Sequence, residues 1–307
     1  MLDDTEFHHD GGSKLALKLT KKSPMQTLLK TMPHQPVKFN TTLASSSPLA
    51  SNSLSLNSTN PRQNLLLASL PYSELSLWEH ELELVDLKLG QILCEPGIKH
   101  THVIFPTTAI VSLLYTTQEG TSSEVSVVGK DGVVGMSVFM GGNETPNQAM
   151  VQSAGQAYRL STKMAKNISN KNGPLLHMLL NYTQMMITQI AQTAVCNRHH
   201  SIDQQLCRRL LIGLDLLEDN DLMMTQELLA SLLGVRRESV TAAALKLQEA
   251  GVISYSRGHI TVLDRKALEQ RCCECYAIVK NQQRRLMPTK SKSNNHTYNN
   301  FVDMANH

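Results

Sequence analysis

TQELLASLLGVRRESVTAAALKLQEAGVISYSRGHITVLD, residues 225–264, carries the densest structural instruction in the chain. Gln226 to Leu233 has helical spacing and stops at Gly234; a second helical pattern runs from Arg236 to Ala250. Two short β-like runs follow, Val252 to Ser254 and His259 to Leu263, hinged at Arg257-Gly258. Helix, glycine turn, helix and hairpin, in that order, describe a winged helix-turn-helix, which lays its second helix in a DNA major groove. Ala230 is small where two helices must cross, and Leu229, Leu232, Val235, Val240 and Leu247 are expected to share one buried face. The turn Arg236-Arg237-Glu238-Ser239 stays polar. Arg reaches guanine O6 and N7, Glu accepts from a cytosine amino group, and Ser bonds either, so Arg237, Glu238 and Ser239 are suited to base readout. Two helices around a glycine are common in proteins that never touch DNA. The small crossing residue, the polar turn and the immediate hairpin decide for DNA.

At these residues the chain resembles the Crp/Fnr family of bacterial transcription regulators. LASLLGVRRESVTAAALKLQEAGVI carries the family's G-x-x-R-E-[ST]-V recognition-helix motif as Gly234, Arg237, Glu238, Ser239 and Val240. The resemblance implies that Arg237 and Glu238 read a G·C pair and that Ser239 contacts bases or phosphate. The cyclic-AMP receptor branch has a further Arg where this chain has Ala242, so that branch's target sequence does not carry over. Thr225, Gln226 and Arg236 are expected to position the module on phosphates, with Arg257 and His259 of the wing beside them.

Working outward, 307 residues give length for about two domains. A hydrophobic content of 41% suffices for real cores, and polar ends hold it slightly below the usual range. The net charge of +3 announces no global basic field, which leaves room for charge concentrated on one face. No apolar run is long enough to span a membrane. The start, MLDDTEFHHDGGSK, lacks the basic-then-apolar order of a secretion signal, so a cytoplasmic location is expected. Six cysteines, at 94, 196, 207, 272, 273 and 275, form no pairing framework and are expected to be free thiols.

Residues 1–62 read as a disordered extension: Thr41 to Asn60 is rich in Ser, Thr and Asn, and cannot bury enough apolar surface to offset chain entropy. Lys18, Lys21 and Lys22 read as parts of a solvated tail rather than as phosphate contacts. Asn64 to Leu70 and Ser73 to Leu84 have helical spacing, broken by Pro71. From Val85 to Ser161 the texture is β: Val103–Phe105, Ala109–Tyr115, Glu124–Val128, Ala149–Ser153 and Gln156–Leu160 are separated by turn residues, which predicts an antiparallel roll. A long helix follows from Pro174 to Asn197. Leu175, Leu179, Tyr182, Met186, Ile190 and Thr193 recur along it at steps of three or four, and Leu176, Leu180 and Ile187 widen the apolar face. So wide a face predicts contact with the roll on one side and a twin helix on the other; the competing reading is a helix buried in a single chain.

Roll, long helix and winged helix, in that order over residues 63–286, again resemble Crp/Fnr, as does QTAVCNRHHSIDQQLCRRLL at the hinge. The nucleotide-binding branch of the family takes the ribose hydroxyl on a Glu of G-E-L and the phosphate on the Arg of R-S-A. Here GMSVFMGGNETPNQAMVQ keeps Gly135, has Met136 at the Glu position and has Asn147-Gln148-Ala149 for the cassette, while Lys130 lies on a turn. Cyclic AMP binding is therefore not expected, and no cofactor is assigned. Met136, Phe139 and Met140 read as core packing. His100 and His102 form an H-x-H pair without the further ligands of a cupin metal site, and His177 at the start of the long helix is no haem signal. Cys272, Cys273 and Cys275 are too close in sequence to surround a metal unaided, and no cysteine precedes Cys94, against an iron–sulfur sensor with N-terminal ligands.

The expected chain is thus α+β: an N-terminal β-roll like a cyclic-nucleotide-binding jelly roll at 63–172, a long dimerisation helix and hinge at 173–200, a winged helix-turn-helix at 201–286, and a disordered tail at 287–307. The expected function is a homodimeric, sequence-specific transcription regulator. Its partners would be a palindromic duplex, a second copy of itself and, by the resemblance, RNA polymerase. A roll whose winged domain binds protein is the alternative. An enzyme is not expected, since no nucleophile–base constellation or phosphate loop is present.

Overall fold

The computed structural model describes residues 60–170, 173–217 and 220–287. The extension up to Thr59, with Lys18, Lys21 and Lys22, and the tail from Pro288 lie outside the described residues. The N-terminal helix α1 (Leu65–Ser69) starts on Asn64, whose side-chain oxygen accepts from the backbone N–H of Leu66 and Leu67. The same amide donates to the carbonyls of Pro106 and Gly132, at 2.8 and 2.9 Å, so one buried Asn both caps the helix and ties it to the roll. A one-turn helix α2 (Tyr72–Leu75) and a 3-10 turn (Glu79–Glu81) follow.

The helical spacing over Ser73 to Leu84 does not give one helix. The chain turns extended at Leu82, and β1 (Glu83–Leu87) pairs antiparallel with a later strand. Leu75 and Trp78 are buried and Leu82 is partly buried in one cluster, so the apolar spacing was real. The hydrogen-bonded ladder, a long-range term invisible to local pattern, decided the backbone.

The roll continues through β2 (Ile92–Cys94), β3 (His102–Pro106), β4 (Ile110–Thr116), β5 (Ser122–Val128), β6 (Gln148–Ser153) and β7 (Gly155–Ser161). They form two antiparallel sheets, ordered β1-β7-β3 and β2-β6-β4-β5. Five of the seven strands fall on the β-like runs of the sequence. The short strands β1 and β2 had no such signal: β1 alternates weakly and β2 has three residues. Leu87, Val111, Val128, Val134, Ala149, Val151 and Ala157 are buried in the roll's own core. A second and larger core lies where Phe105, Tyr158 and Leu160 meet the helices.

Helix α3 (Thr162–Ser169) leads to the long α4 (Pro174–His199). Pro174 occupies the first turn, where its missing N–H costs nothing. Leu175, Met178, Leu179, Tyr182 and Met185 of α4 enter the larger core. The C-terminal region then begins with α5 (Ile202–Leu216), opened by a capping box between Ser201 and Gln204. It continues with β8 (Asp221–Met223), α6 (Gln226–Leu233), α7 (Arg237–Glu249), β9 (Ile253–Ser256), β10 (His259–Val262), α8 (Arg265–Arg271) and α9 (Glu274–Leu286). Leu206, Leu210, Leu229, Val240, Leu247, Ile253 and Ile260 share its core. No helix among the described residues is long and apolar enough to cross a membrane.

Candidate nucleic-acid interface

Thr225 opens α6 as its N-cap, its hydroxyl accepting from the Leu228 N–H at 3.1 Å. The helix ends at Gly234, whose left-handed φ of 67° reverses the chain, and α7 starts three residues later. Ala230, Ala243 and Ala244 are buried, which lets α6 and α7 approach closely. Thr241 donates to Gln226 Oε1 at 2.8 Å and locks the pair from outside. Sequence patterning gave no sign of that lock, because a Thr and a Gln fifteen positions apart carry no local signature. It occupies the Gln226 oxygen and leaves the amide nitrogen to donate.

The hairpin closes through a two-residue turn, Arg257-Gly258, with φ of 49° and 84°. Positive φ at both central positions is the geometry that matches strand twist, and Gly258 takes it at no steric cost. The sequence missed β8, a three-residue strand that pairs with β10 and makes the wing three-stranded. Its Asp221 sits 3.4 Å from His259 Nδ1 and accepts from Thr261 at 3.1 Å.

Arg236 is the N-cap residue of α7, and Arg237 and Glu238 are on its first turn. All three are exposed, Ser239 is half-buried, and Arg257 is exposed at the wing tip. The side chains of Arg236, Arg237, Glu238 and Arg257 make no hydrogen bond or ion pair with other described residues. Charged groups that fold without a partner are open to an external one. By contrast His259 is held by Asp221, and Thr225 and Gln226 are engaged in building the motif. Ala242 is exposed on the same helix.

Of the five residues expected to share one buried face, Leu229, Val240 and Leu247 enter the domain core, while Val235 is only half-buried. Leu232 is buried elsewhere, against Leu114 and Met150 of the roll. The first helix of the motif is therefore also a docking element. Ser231 Oγ lies 2.8 Å from Ser122 Oγ of β5. Behind it Arg209 of α5 pairs with Glu124 of β5 at 2.8 Å, and both also bond a polar pair in the roll: Ser112 donates to Glu124 at 2.5 Å, and Arg209 to Gln152. Burial pushes the Glu124 carboxyl up, and Arg209 and Ser112 pull it back.

The long helix presents a second surface. Leu180 and Ile187 are 59% and 62% exposed, and Ile190 and Val195 are also exposed. With half-buried Leu176 and Thr183 and exposed Ala194, Leu180, Ile187 and Ile190 give the series 176, 180, 183, 187, 190, 194, spaced by alternating fours and threes. That is the seam spacing of a coiled coil. The stripe singled out in the sequence mostly faces inward: Leu175, Leu179 and Tyr182 are buried, and Met186 is partly buried against the core.

In the roll, Met136 is half-buried against the larger core and Phe139 packs with it, while Asn147 is half-buried beside β6. His100 Nε2 lies 3.8 Å from Cys94 Sγ, whereas His102 bonds Thr101, so the H-x-H pair is split between two neighbours.

Residues 204–271 match the family model described as the Crp-like helix-turn-helix domain. No curated protein sequence matches the chain. Among solved structures, one described as a Crp/Fnr-family transcriptional regulator from Eubacterium rectale is 19% identical, with a TM-score of 0.55 over 68% of this chain and 98% of that one. FixK2 from Bradyrhizobium japonicum is 12% identical, with a TM-score of 0.54 over 62% and 98%. The c-di-GMP responsive global regulator CLP from Xanthomonas campestris is 13% identical, with a TM-score of 0.52 over 63% and 100%. At these identities the structures speak for the fold, and the domain match speaks for the helix-turn-helix. Together they define a fold with a β-roll body, a long connecting helix and a Crp-like winged helix-turn-helix. Residues 204–271 thus carry a Crp-like helix-turn-helix domain, and the chain has the fold seen in structures of the Crp/Fnr family.

Proposed function

We propose that the chain acts as a homodimer that reads a palindromic duplex, each copy placing α7 in the major groove. The observation that carries this reading is the pair of exposed side chains Arg237 and Glu238 on the first turn of α7, which make no hydrogen bond or ion pair with other described residues. Arg237 reads guanine through O6 and N7, Glu238 accepts from the paired cytosine, and Ser239 contacts base or phosphate. Arg236, Arg257 and the amide nitrogen of Gln226 hold phosphates, with Thr225 and His259 shaping the ends of that surface. The seam 176–194 on α4 joins two copies, which turns one recognition helix into two and one half-site into a palindrome. The organisation follows: roll at 63–172, dimerisation helix and hinge at 173–200, winged helix-turn-helix at 201–286. RNA polymerase and a cytoplasmic setting fit a regulator of this type. Met136 and Asn147 supply neither the carboxylate nor the cation that cyclic AMP would need, so the roll is not expected to bind it.

The test is binding to a duplex selected from random sequence. Arg237→Ala is expected to weaken binding by about 1–3 kcal/mol and to relax preference at one base pair per half-site. An unchanged affinity with an unchanged selected sequence overturns the assignment.

A further inference from the structure

Cys273 and Cys275 open α9, one as its N-cap and the other in its first turn. Packing of α9 along the end of α4 brings them to Cys196 and His200, which are four positions apart at the close of α4. The four ligand atoms lie within 4.8 Å of one another. Cys196 Sγ and Cys273 Sγ are 3.5 Å apart, and Cys275 Sγ is 3.5 Å from His200 Nδ1. The three cysteines are buried and His200 is half-buried.

We propose that Cys196, His200, Cys273 and Cys275 form a closed binding site for a zinc-class divalent ion. A tetrahedral zinc ion with bonds of about 2.3 Å to sulfur and about 2.0 Å to nitrogen holds its ligand atoms roughly 3.5–3.8 Å apart; the Cys196–Cys273 and Cys275–His200 separations of 3.5 Å are on that scale, and the whole quartet lies within 4.8 Å. The imidazole is oriented for the task. Nδ1 faces the thiols, and Nε2 lies 3.3 Å from Glu274 Oε1, so a carboxylate fixes the tautomer from behind. Gln205 donates to the His200 carbonyl at 2.9 Å and holds the turn that carries the ring.

The charge also balances. Three thiols lose their protons to solvent on binding, and three thiolates with one divalent ion leave a net charge of −1. The buried guanidinium of Arg208 acts on Cys196 and Cys275, and the N-terminus of α9 adds its positive dipole end. Four protein ligands leave no open position, which makes the site structural rather than catalytic. The ligand atoms crowd too closely for the sulfides of a multi-iron cluster. Cys272, half-buried beside the quartet, is not one of the four. The ion would pin α9 to the end of α4, where the long helix passes into the DNA-binding region.

The experiment takes the full-length protein, purified reduced, and measures bound metal after equilibration with zinc alone and, separately, with cobalt(II) alone. The expected result is one zinc per chain. With cobalt, thiolate-to-metal charge transfer and intense tetrahedral visible bands should appear. Cys196→Ser and His200→Ala should each lose at least about tenfold in affinity, and Cys275→His should retain a tetrahedral cobalt spectrum with weaker charge transfer. Cys94→Ser, a buried cysteine in the roll, should bind as wild type. A reduced wild-type protein that retains no zinc and gives no tetrahedral cobalt spectrum overturns the proposal, whatever the variants do. So does a Cys196–Cys273 disulfide in the native protein, or undiminished affinity in a folded Cys196→Ser. None of these readouts depends on DNA binding, so this proposal and the DNA reading fail separately.

Discussion

Glu124 and Arg209 are 7% and 4% exposed, and neither would be chosen for a core on hydrophobic grounds. Each is tolerable because the other is there, and because Ser112 and Gln152 take up further hydrogen bonds. Arg209→Met is expected to destabilise the protein by about 3–5 kcal/mol in urea denaturation at neutral pH, because a carboxylate is left buried without its cation. The sign of the pH dependence follows from burial. A carboxyl raised by burial is easier to keep when protonated, so the loss should shrink as the pH falls towards its raised pKa. The double variant Glu124→Gln, Arg209→Met should recover most of the stability; equal loss in single and double variants would mean the pair contributes no more than its packing. None of this was legible in sequence: a Glu on a strand and an Arg on a helix, 85 positions apart, look like two surface charges. The place of Arg237 and Glu238 on the first turn of α7, by contrast, was legible, because a short motif fixes it relative to Gly234.

At the scale of elements, α9 shows how one helix closes a structure. Asp215 of α5 accepts from Arg265 at 2.7 Å, Tyr276 at 2.9 Å and Lys280 at 2.6 Å, which ties α5, α8 and α9 together. Burial would raise the Asp215 carboxyl, but the bonds from Lys280 and Arg265 more than offset it and hold the pKa below the usual carboxylate value. A carboxyl depressed on folding stabilises above its unfolded pKa and loses that contribution as the pH falls through its folded one. Asp215→Asn should therefore cost about 1–3 kcal/mol at pH 7, with the gap to wild type closing below about pH 4. A gap of constant size across that range would assign the effect to packing. The elements with strong local patterns were legible: α6, α7, the hairpin, α4 and five strands of the roll. The ladder of β1 and the wing strand β8 were not, since both exist only through pairing with distant partners.

At the scale of the whole molecule, α4 carries two apolar faces, and the sequence revealed their sum better than their division. The wide apolar surface predicted two neighbours, and the inward face belongs to residues such as Leu179 and Tyr182. The outward face is the 176–194 seam, which places Met186 just off it and Ile187 on it. Periodicity alone does not separate them, because a helix that is apolar over most of its circumference fits more than one stripe. Ile187→Glu puts a charge into that seam and should give a monomer in sedimentation at micromolar concentration, with the fold retained by circular dichroism. A variant that stays dimeric would move assembly to another surface. Loss of the dimer should also lower operator affinity steeply, because two linked half-sites bind far more tightly than one.

The central claim, that α7 reads DNA in a pair of symmetric half-sites, is tested most directly by selecting bound duplexes from a random pool with the wild-type protein and with Arg237→Ala. The account predicts a palindrome whose half-site centres are about 34–36 Å apart, or a multiple of that spacing, with a binding constant that falls steeply with salt. In the variant one base pair per half-site should lose its preference while the palindrome persists. Recovery of no common sequence by the wild type, or of one whose preferences Arg237→Ala leaves intact, would contradict it.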